Sequence, residues 1–349
     1  MKEVAQRAGV SRSAVSAALS GKPSTIALSD DTRQRIKQIA GELGYERNIL
    51  AQSFIKQKSY LVSLLSREEH FVYALETTKG IEEVIENLDY SLLIYYGGTT
   101  ADDQAKHLQR CLDRKVEGLI VAVAPEKTGG THAQQIKALY ADGLPVVQIY
   151  RKLIPELPVV MTSDLKAGEL GTRYLIEMGH KRIAHFTHDH YLDPDRTGLN
   201  RDALERYQGY EQAMRAAGLE PYAVTYPAAT YRGTGYSRGA RQYAELISAH
   251  PARFTAVTTF SDYTAIGLLK GMQDRGVRVP DDISIIGYDD IEVCAAMEPP
   301  LTTMRQPSRK IGSTAVQMVL DMISGRPVTS TVLSPHLVER GSAAPPKQP

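Results

Sequence analysis

From Tyr60 onward, short apolar runs alternate with longer amphipathic stretches, and this alternation restricts the fold more than any other feature of the chain. Leu61–Leu65 reads as a strand and Ala74–Asn87 as a helix, with further strands at Ser91–Tyr96, Val116–Val123 and Pro145–Ile149 separated by helical patterns. After a connection at Thr162–Asp164 the pattern restarts. A predicted helix from Leu165 carries Leu170, Tyr174 and Met178 four residues apart. Strands follow at Arg182–Thr187, Tyr222–Tyr226, Ala256–Thr259 and Ser284–Tyr288. A last helix over Ser308–Met322 presents Ile311, Ala315, Met318 and Met322 on one face. Repeated β-α-β units imply parallel sheets with helices on both faces. Two such units in tandem predict an α/β body of two lobes with a cleft between them. Ligands in open parallel sheets sit beyond the carboxyl ends of strands, so residues just after strands are expected to line the cleft.

The first sixty residues are different. Val4–Ala8 reads as a short helix stopped by Gly9. Ser11 then caps a second helix near Ser13–Ser20, with Val15, Ala18 and Leu19 inward. A helix, a short Gly-containing turn and a second helix form the helix-turn-helix pattern. Ser29 caps a third helix over Thr32–Leu43, whose buried stripe is Ile36, Ile39, Ala40 and Leu43, and Gly44 stops it. The formal charge of +1 hides an asymmetry. Residues 1–59 hold ten Lys and Arg against five acids, a net +5; the rest holds 31 against 35, a net −4. A small basic head on a mildly acidic body points to a polyanionic partner for the head.

Several function classes are excluded at this level. No apolar run approaches the eighteen or so residues of a membrane span, and the start, MKEVAQRAGV, lacks the apolar segment of a secretory signal. Both properties, with only Cys111 and Cys294 present, lead to the expectation of a reducing cytoplasm and no disulfide framework. No nucleophile elbow, phosphate-cradling loop or Cys/His dyad occurs, so neither an enzyme nor a bound cofactor is expected. The segment His185-Phe-Thr-His188-Asp189-His190 invites a metal reading, but strand alternation sends His185 and His188 to opposite faces. A pocket wall or loop is the stronger reading.

The motifs also carry a resemblance. Val4-Ala-x-x-Ala8-Gly9-Val10-Ser11-x-x-Ala14-Val15-Ser16, then Ser29-x-x-Thr32-Arg33, then Leu43-Gly44-Tyr45-x-x-Asn48 resemble the head of the lactose-repressor (LacI/GalR) family. Three body segments are similar to that family's periplasmic-binding-protein-like effector domain: Leu175–Ala184, Arg206-x-x-Gly209-Tyr210, and Val279–Asp290 followed by Pro299-Pro300-Leu301-Thr302-Thr303. The resemblance implies a DNA-binding transcriptional regulator, in most members a repressor, governed by a small effector, commonly a saccharide. Arg12, Ser13 and Ala17 then fall at base-facing positions of the recognition helix. Arg12 can grip a guanine edge with two hydrogen bonds, while Ala17 offers only a methyl; the competing role for Arg12 is a phosphate contact. Ser11, Ser16 and Asn48 match phosphate contacts. Asn48–Ile55 matches a hinge helix, with Ala51 on it and Phe54 where relatives wedge a Leu into the central base step.

In the body the resemblance assigns Arg206 and Asp289 to the effector, with an ion pair across the lobes as the rival role for Arg206. Sugar-binding members often carry Asp where this chain has Tyr150, and Asn where it has Ser261. Phe71 and Tyr73 replace a family Asn-Pro-Phe-Phe segment. These aromatic changes suit a sugar ring, a nucleobase or another partly apolar metabolite. The lobe cleft is the expected effector site, and a homodimer on a near-palindromic double-stranded operator the expected assembly, since the leucine-heptad helix of tetrameric relatives is absent. A regulator answering to a protein partner, and a solute-binding protein with a vestigial head, are the rival functions. The domains read as a head over 1–46, a hinge and linker over 47–59, a body over 60–340 and a small, Pro-rich tail over 341–349 expected to be disordered.

Overall fold

The computed structural model describes residues 1–19, 26–45, 58–66, 71–96, 101–122, 131–189, 192, 201–226, 241, 244–248 and 253–347. Residues 1–59 and 60–349 form two compact units. In the first, α1 (Lys2–Ala8), α2 (Arg12–Leu19) and α3 (Asp30–Glu42) close on Val4, Ala8, Val15, Ala18, Ile36 and Ala40. Gly9 takes the left-handed conformation that ends α1, and the Val10 N–H reaches back to the Ala5 carbonyl. Ser29 Oγ accepts the Thr32 N–H at 3.3 Å and caps α3. The expected hinge residues Asn48, Ala51 and Phe54 lie outside the described residues.

The body is built on two six-stranded sheets. In the first, strands run in the order β11-β5-β4-β3-β1-β2: β1 is Leu61–Ser66, β2 Ser91–Tyr96, β3 Gly118–Ala122, β4 Val146–Ile149, β5 Val159–Thr162 and β11 Thr331–Leu333. Its pairings are parallel. Helix α4 (Phe71–Ile85) covers one face, and α5 (Ala101–Asp113) and α6 (Thr131–Ala141) cover the other. In the second sheet the order is β12-β10-β9-β8-β6-β7: β6 is Ile183–His188, β7 Tyr222–Tyr226, β8 Ala256–Thr259, β9 Ser284–Asp289, β10 Thr302–Arg305 and β12 His336–Val338. Among the described residues only β12 pairs antiparallel there, with β10. Helices α7 (Asp164–Glu177) and α8 (Arg201–Ala216) lie on one face, and the short α9 (Glu245–Ser248) and α10 (Asp262–Gln273) on the other.

Two expectations are corrected here. The lobes are not simply consecutive. The last helix, α11 (Ser308–Ile323), returns to the first lobe and packs Ile311, Ala315, Val316 and Val319 against Val62, Leu64, Ile81 and Ile120. The chain therefore crosses between lobes three times: after β5, after β10 and between β11 and β12. An amphipathic period shows that a helix has an inner face but not which sheet receives it. The tail is also ordered as far as it is described, through Lys347. Ile285 N–H donates to Ser342 O (2.8 Å), Ser342 Oγ donates to Ile285 O (2.6 Å) and the Thr302 N–H donates to Ser342 Oγ (2.8 Å). Backbone bonds and the hydroxyls of Ser342 and Ser284 hold this segment, and none of these leaves an apolar period in the sequence.

Glycine lets paired helices touch backbone to backbone in both lobes. A Cβ on Gly80 of α4 would sit 1.9 Å from the Arg309 carbonyl oxygen on α11, and one on Gly168 of α7 would sit 1.9 Å from the Arg206 carbonyl oxygen on α8. The second contact sets the spacing of the two helices that carry the site described next.

Candidate functional site

In the head, Ser11 and the first residues of α2 are exposed. Ser11 Oγ accepts the Ala14 N–H at 3.1 Å, capping α2, and lies 2.9 Å from Ser13 Oγ. Arg12 and Ser13 are exposed at the start of the helix, and Ser16 is half-buried. Ala17 is 6% exposed, so the expectation that its methyl faces a base is corrected. Ala14, Val15, Ala17 and Ala18 are all buried on this eight-residue helix, leaving a narrow outer face that begins at Arg12.

In the body, the residues at the carboxyl ends of the second lobe's strands converge on Arg206. This residue projects from α8 and is buried. Its Nε donates to Asp164 Oδ1 at 2.8 Å and its Nη1 to the Phe260 carbonyl at 2.5 Å. The guanidinium carbon stands 3.4 Å from the centroid of the Tyr288 ring, and the Tyr288 hydroxyl donates to the same Asp164 oxygen at 2.8 Å. The ion pair anticipated for Arg206 thus forms within its own lobe, since Asp164 begins α7. Burial works against the Arg206 charge, but Asp164, Tyr288 and Asp289 outweigh it and raise its pKa. The planar fork is held by an anion, a carbonyl and a ring face, an arrangement that a Lys ammonium could not reproduce.

Asp289 ends β9 with a φ of 123°, and Asp290 follows at 58°. Such backbone is costly for residues other than glycine and persists where surroundings enforce it. Here Asp262 enforces it: its carboxylate accepts the Ile291 N–H (2.9 Å) and the Thr303 hydroxyl (2.5 Å). Burial pushes the Asp289 carboxyl well above the usual carboxylate range, with Arg206 pulling the other way. Gln306, at the second crossover, donates to Asp289 Oδ1 at 2.8 Å. Asp290 is structural through ion pairs with Arg340 (2.6 Å) and Arg305.

The other expected effector residues are placed as follows. Tyr150 follows β4 at a φ of 69°, half-buried, with its hydroxyl bonded to that of Thr77. Ser261 follows β8 and caps α10, accepting the Thr264 N–H at 3.3 Å. Phe71 and Tyr73 lie in the first turn of α4, which starts three residues earlier than the sequence suggests. Sequence reasoning missed Asp164, Tyr288, Gln306 and the Arg151–Asp202 pair. Only Asp202 had a readable signal, one helical turn before Arg206.

His185 and His188 lie within β6 and not in a loop, on opposite faces: His185 against Tyr207 and Tyr210, His188 against Tyr226 and Phe260. His185 Nδ1 lies 2.9 Å from Thr258 Oγ1, and burial, aided by the Arg206 charge, drives its pKa down to about 3. Between that value and the ordinary 6.5, the unfolded chain binds a proton that the folded one does not. His185 therefore contributes stability above pH 6.5 that is lost as pH falls toward 3, by about 1.4 kcal/mol per pH unit. Denaturant unfolding at pH 7, 6, 5 and 4 should show this slope reduced by one proton in His185→Leu. Equal slopes in the two proteins would place the titration elsewhere.

A helix-turn-helix head with an exposed Arg12–Ser13 edge, on a chain whose body gathers buried polar groups at strand ends, defines a ligand-responsive DNA-binding regulator. The family described as bacterial regulatory proteins, lacI family, matches residues 1–48, and a periplasmic binding protein-like domain matches 172–343. The ribose operon repressor of Escherichia coli (strain K12) is 30% identical over 98% of this chain and 99% of its own length. A solved complex of the transcriptional regulator CelR with cellobiose is 25% identical, covering 97% of this chain and 98% of that one, with a TM-score of 0.66. The lac repressor dimer bound to operator and the anti-inducer ONPF shares the fold at a TM-score of 0.71, with 23% identity over 98% of both chains. The chain belongs to the lacI family of bacterial regulatory proteins. It is a helix-turn-helix transcriptional regulator with a periplasmic-binding-protein-like body. Among the described residues no helix is long and apolar enough to cross a membrane.

Proposed function

We propose that this protein represses transcription in the cytoplasm as a homodimer, reading a near-palindromic operator through Arg12 and Ser13 and releasing or tightening its hold when a saccharide or related metabolite enters the lobe cleft. The exposed Arg12–Ser13 edge on a fully closed three-helix core carries the reading, because it supplies base-edge donors on a rigid element. Asn48, Ala51 and Phe54 are assigned to the hinge contacts with phosphates and the central step. Arg206 and Asp289 are assigned to the effector's polar groups, with Phe71, Tyr73, Tyr150 and Ser261 around them. The protein is a switch and not a catalyst: the effector biases one of two states by binding it better. Sugars of the kind bound by the relatives are the first effectors to test.

Selection from a random duplex pool at near-physiological salt tests the reading. The wild-type chain should enrich a palindrome with a flexible central step. Equal retention of all duplexes would reduce the head to a phosphate binder and end the proposal.

A further inference from the structure

We propose that Arg151 and Asp202 form a charged clamp across the cleft that ties closure of the two lobes to the Arg206 site; the link to effector response rests on the function proposed above. Arg151 follows β4 in the first lobe, and Asp202 sits in the first turn of α8 in the second. Their Nη2 and Oδ2 atoms are 2.5 Å apart, with the side chains 27% and 20% exposed. The pair is thus sheltered enough to escape full solvent screening and open enough to break without burying a bare charge.

The local backbone aims Arg151 across the gap. Its N–H donates to the Ile149 carbonyl at 2.9 Å, a three-residue turn with Tyr150 in the left-handed region at its centre. Tyr150 packs against the first lobe's core and bonds Thr77 on α4, so the turn is pinned to that lobe and the guanidinium extends from a fixed base. A bulky residue at positive φ is held only where its surroundings over-determine it. At the other end Asp202 stands one helical turn before Arg206. Burial alone would raise its pKa; Arg151 and then Arg206 outweigh burial and lower it.

The result is an alternating row of charges, Arg151, Asp202, Arg206 and Asp164, running from the first lobe to the floor of the second. A ligand group that accepts a hydrogen bond from Arg206 alters the field in which Asp202 holds Arg151. Closing or opening the lobes makes or breaks the outermost pair. Ligand contact and lobe closure are thereby two readings of one electrostatic row.

The test uses the full-length chain with Arg151→Met, Asp202→Asn and the double variant, and Arg151→Lys as the conservative control. Two quantities are read: the radius of gyration by small-angle X-ray scattering, and the dissociation constant for the selected operator. A clamp predicts that each neutralising variant raises the radius of gyration and moves operator affinity at least fivefold in one common direction. The double variant should show the shift of the larger single and not the product of the two, because both remove one interaction. Arg151→Lys should recover most of the effect. The clamp is overturned if Arg151→Met leaves the radius of gyration unchanged and the operator dissociation constant within twofold of wild type, or if the two single effects on affinity multiply in the double variant. Failure to select any operator counts against the DNA-reading proposal alone, since the scattering comparison still decides the clamp.

Discussion

Arg206→Leu is expected to lower folding stability by about 3–5 kcal/mol and to abolish any effector response. The magnitude follows from what is left behind. Asp164 is buried and shares one oxygen between Arg206 and the Tyr288 hydroxyl, so removing the guanidinium strands a carboxylate in a site with little water. The Phe260 carbonyl loses its donor and the Tyr288 ring its cation at the same time. Burial already raises the Asp164 pKa against the pull of Arg206, so its carboxyl should take up a proton in the variant at a higher pH than in wild type. Arg206→Leu combined with Asp164→Asn should regain part of the loss, because the stranded charge is then gone. Guanidinium chloride unfolding of the four proteins measures the cycle. A single-variant loss below 1 kcal/mol, or a double variant as unstable as the sum of its parts, would show that the pair is not the keystone of this lobe.

The second large effect is on DNA. Arg12→Ala should relax selection at one base position in each half-site and weaken operator binding by 1–3 kcal/mol per half-site, about 5- to 150-fold each. The folded head should not notice, since Arg12 is exposed and the core of Val4, Val15, Ala18 and Ile36 lies on the opposite side of α2. Parallel selection with wild type and Arg12→Ala, followed by titration at several salt concentrations, separates the two roles. Relaxation at symmetric positions identifies a base reader. A uniform loss over all sequences, with the salt slope reduced by about one per head, identifies a phosphate contact and removes Arg12 from the reading set.

Much of the molecule was legible before any coordinates. Gly9 and Gly44 end helices as left-handed caps, Ser11 and Ser29 begin them, and the periodic apolar residues of α2 and α3 form the head core. Arg206 and Asp289 were picked out by motif; Asp289 ends β9, and Arg206 projects from α8. Ala17 is buried although it is not among the apolar residues that form the head core. The strands Thr331–Leu333 and His336–Val338 escaped because three residues are too few to show a period, and Val159–Thr162 and Thr302–Arg305 were not read as strands either.

The local pattern by itself determined that this chain has a helical, basic head and an α/β body, because caps, turns and periodicity are properties of neighbours along the chain. Only the tertiary structure decided that α11 returns to the first lobe, that the tail through Lys347 docks on β9, and that Arg206 finds Asp164 while Arg151 finds Asp202. These pairings join residues 42 and 51 positions apart. An arginine carries no mark of which carboxylate will neutralise it. Helix spacing sets that choice, and for α7 and α8 the spacing comes from a glycine with no side chain to keep two backbones apart.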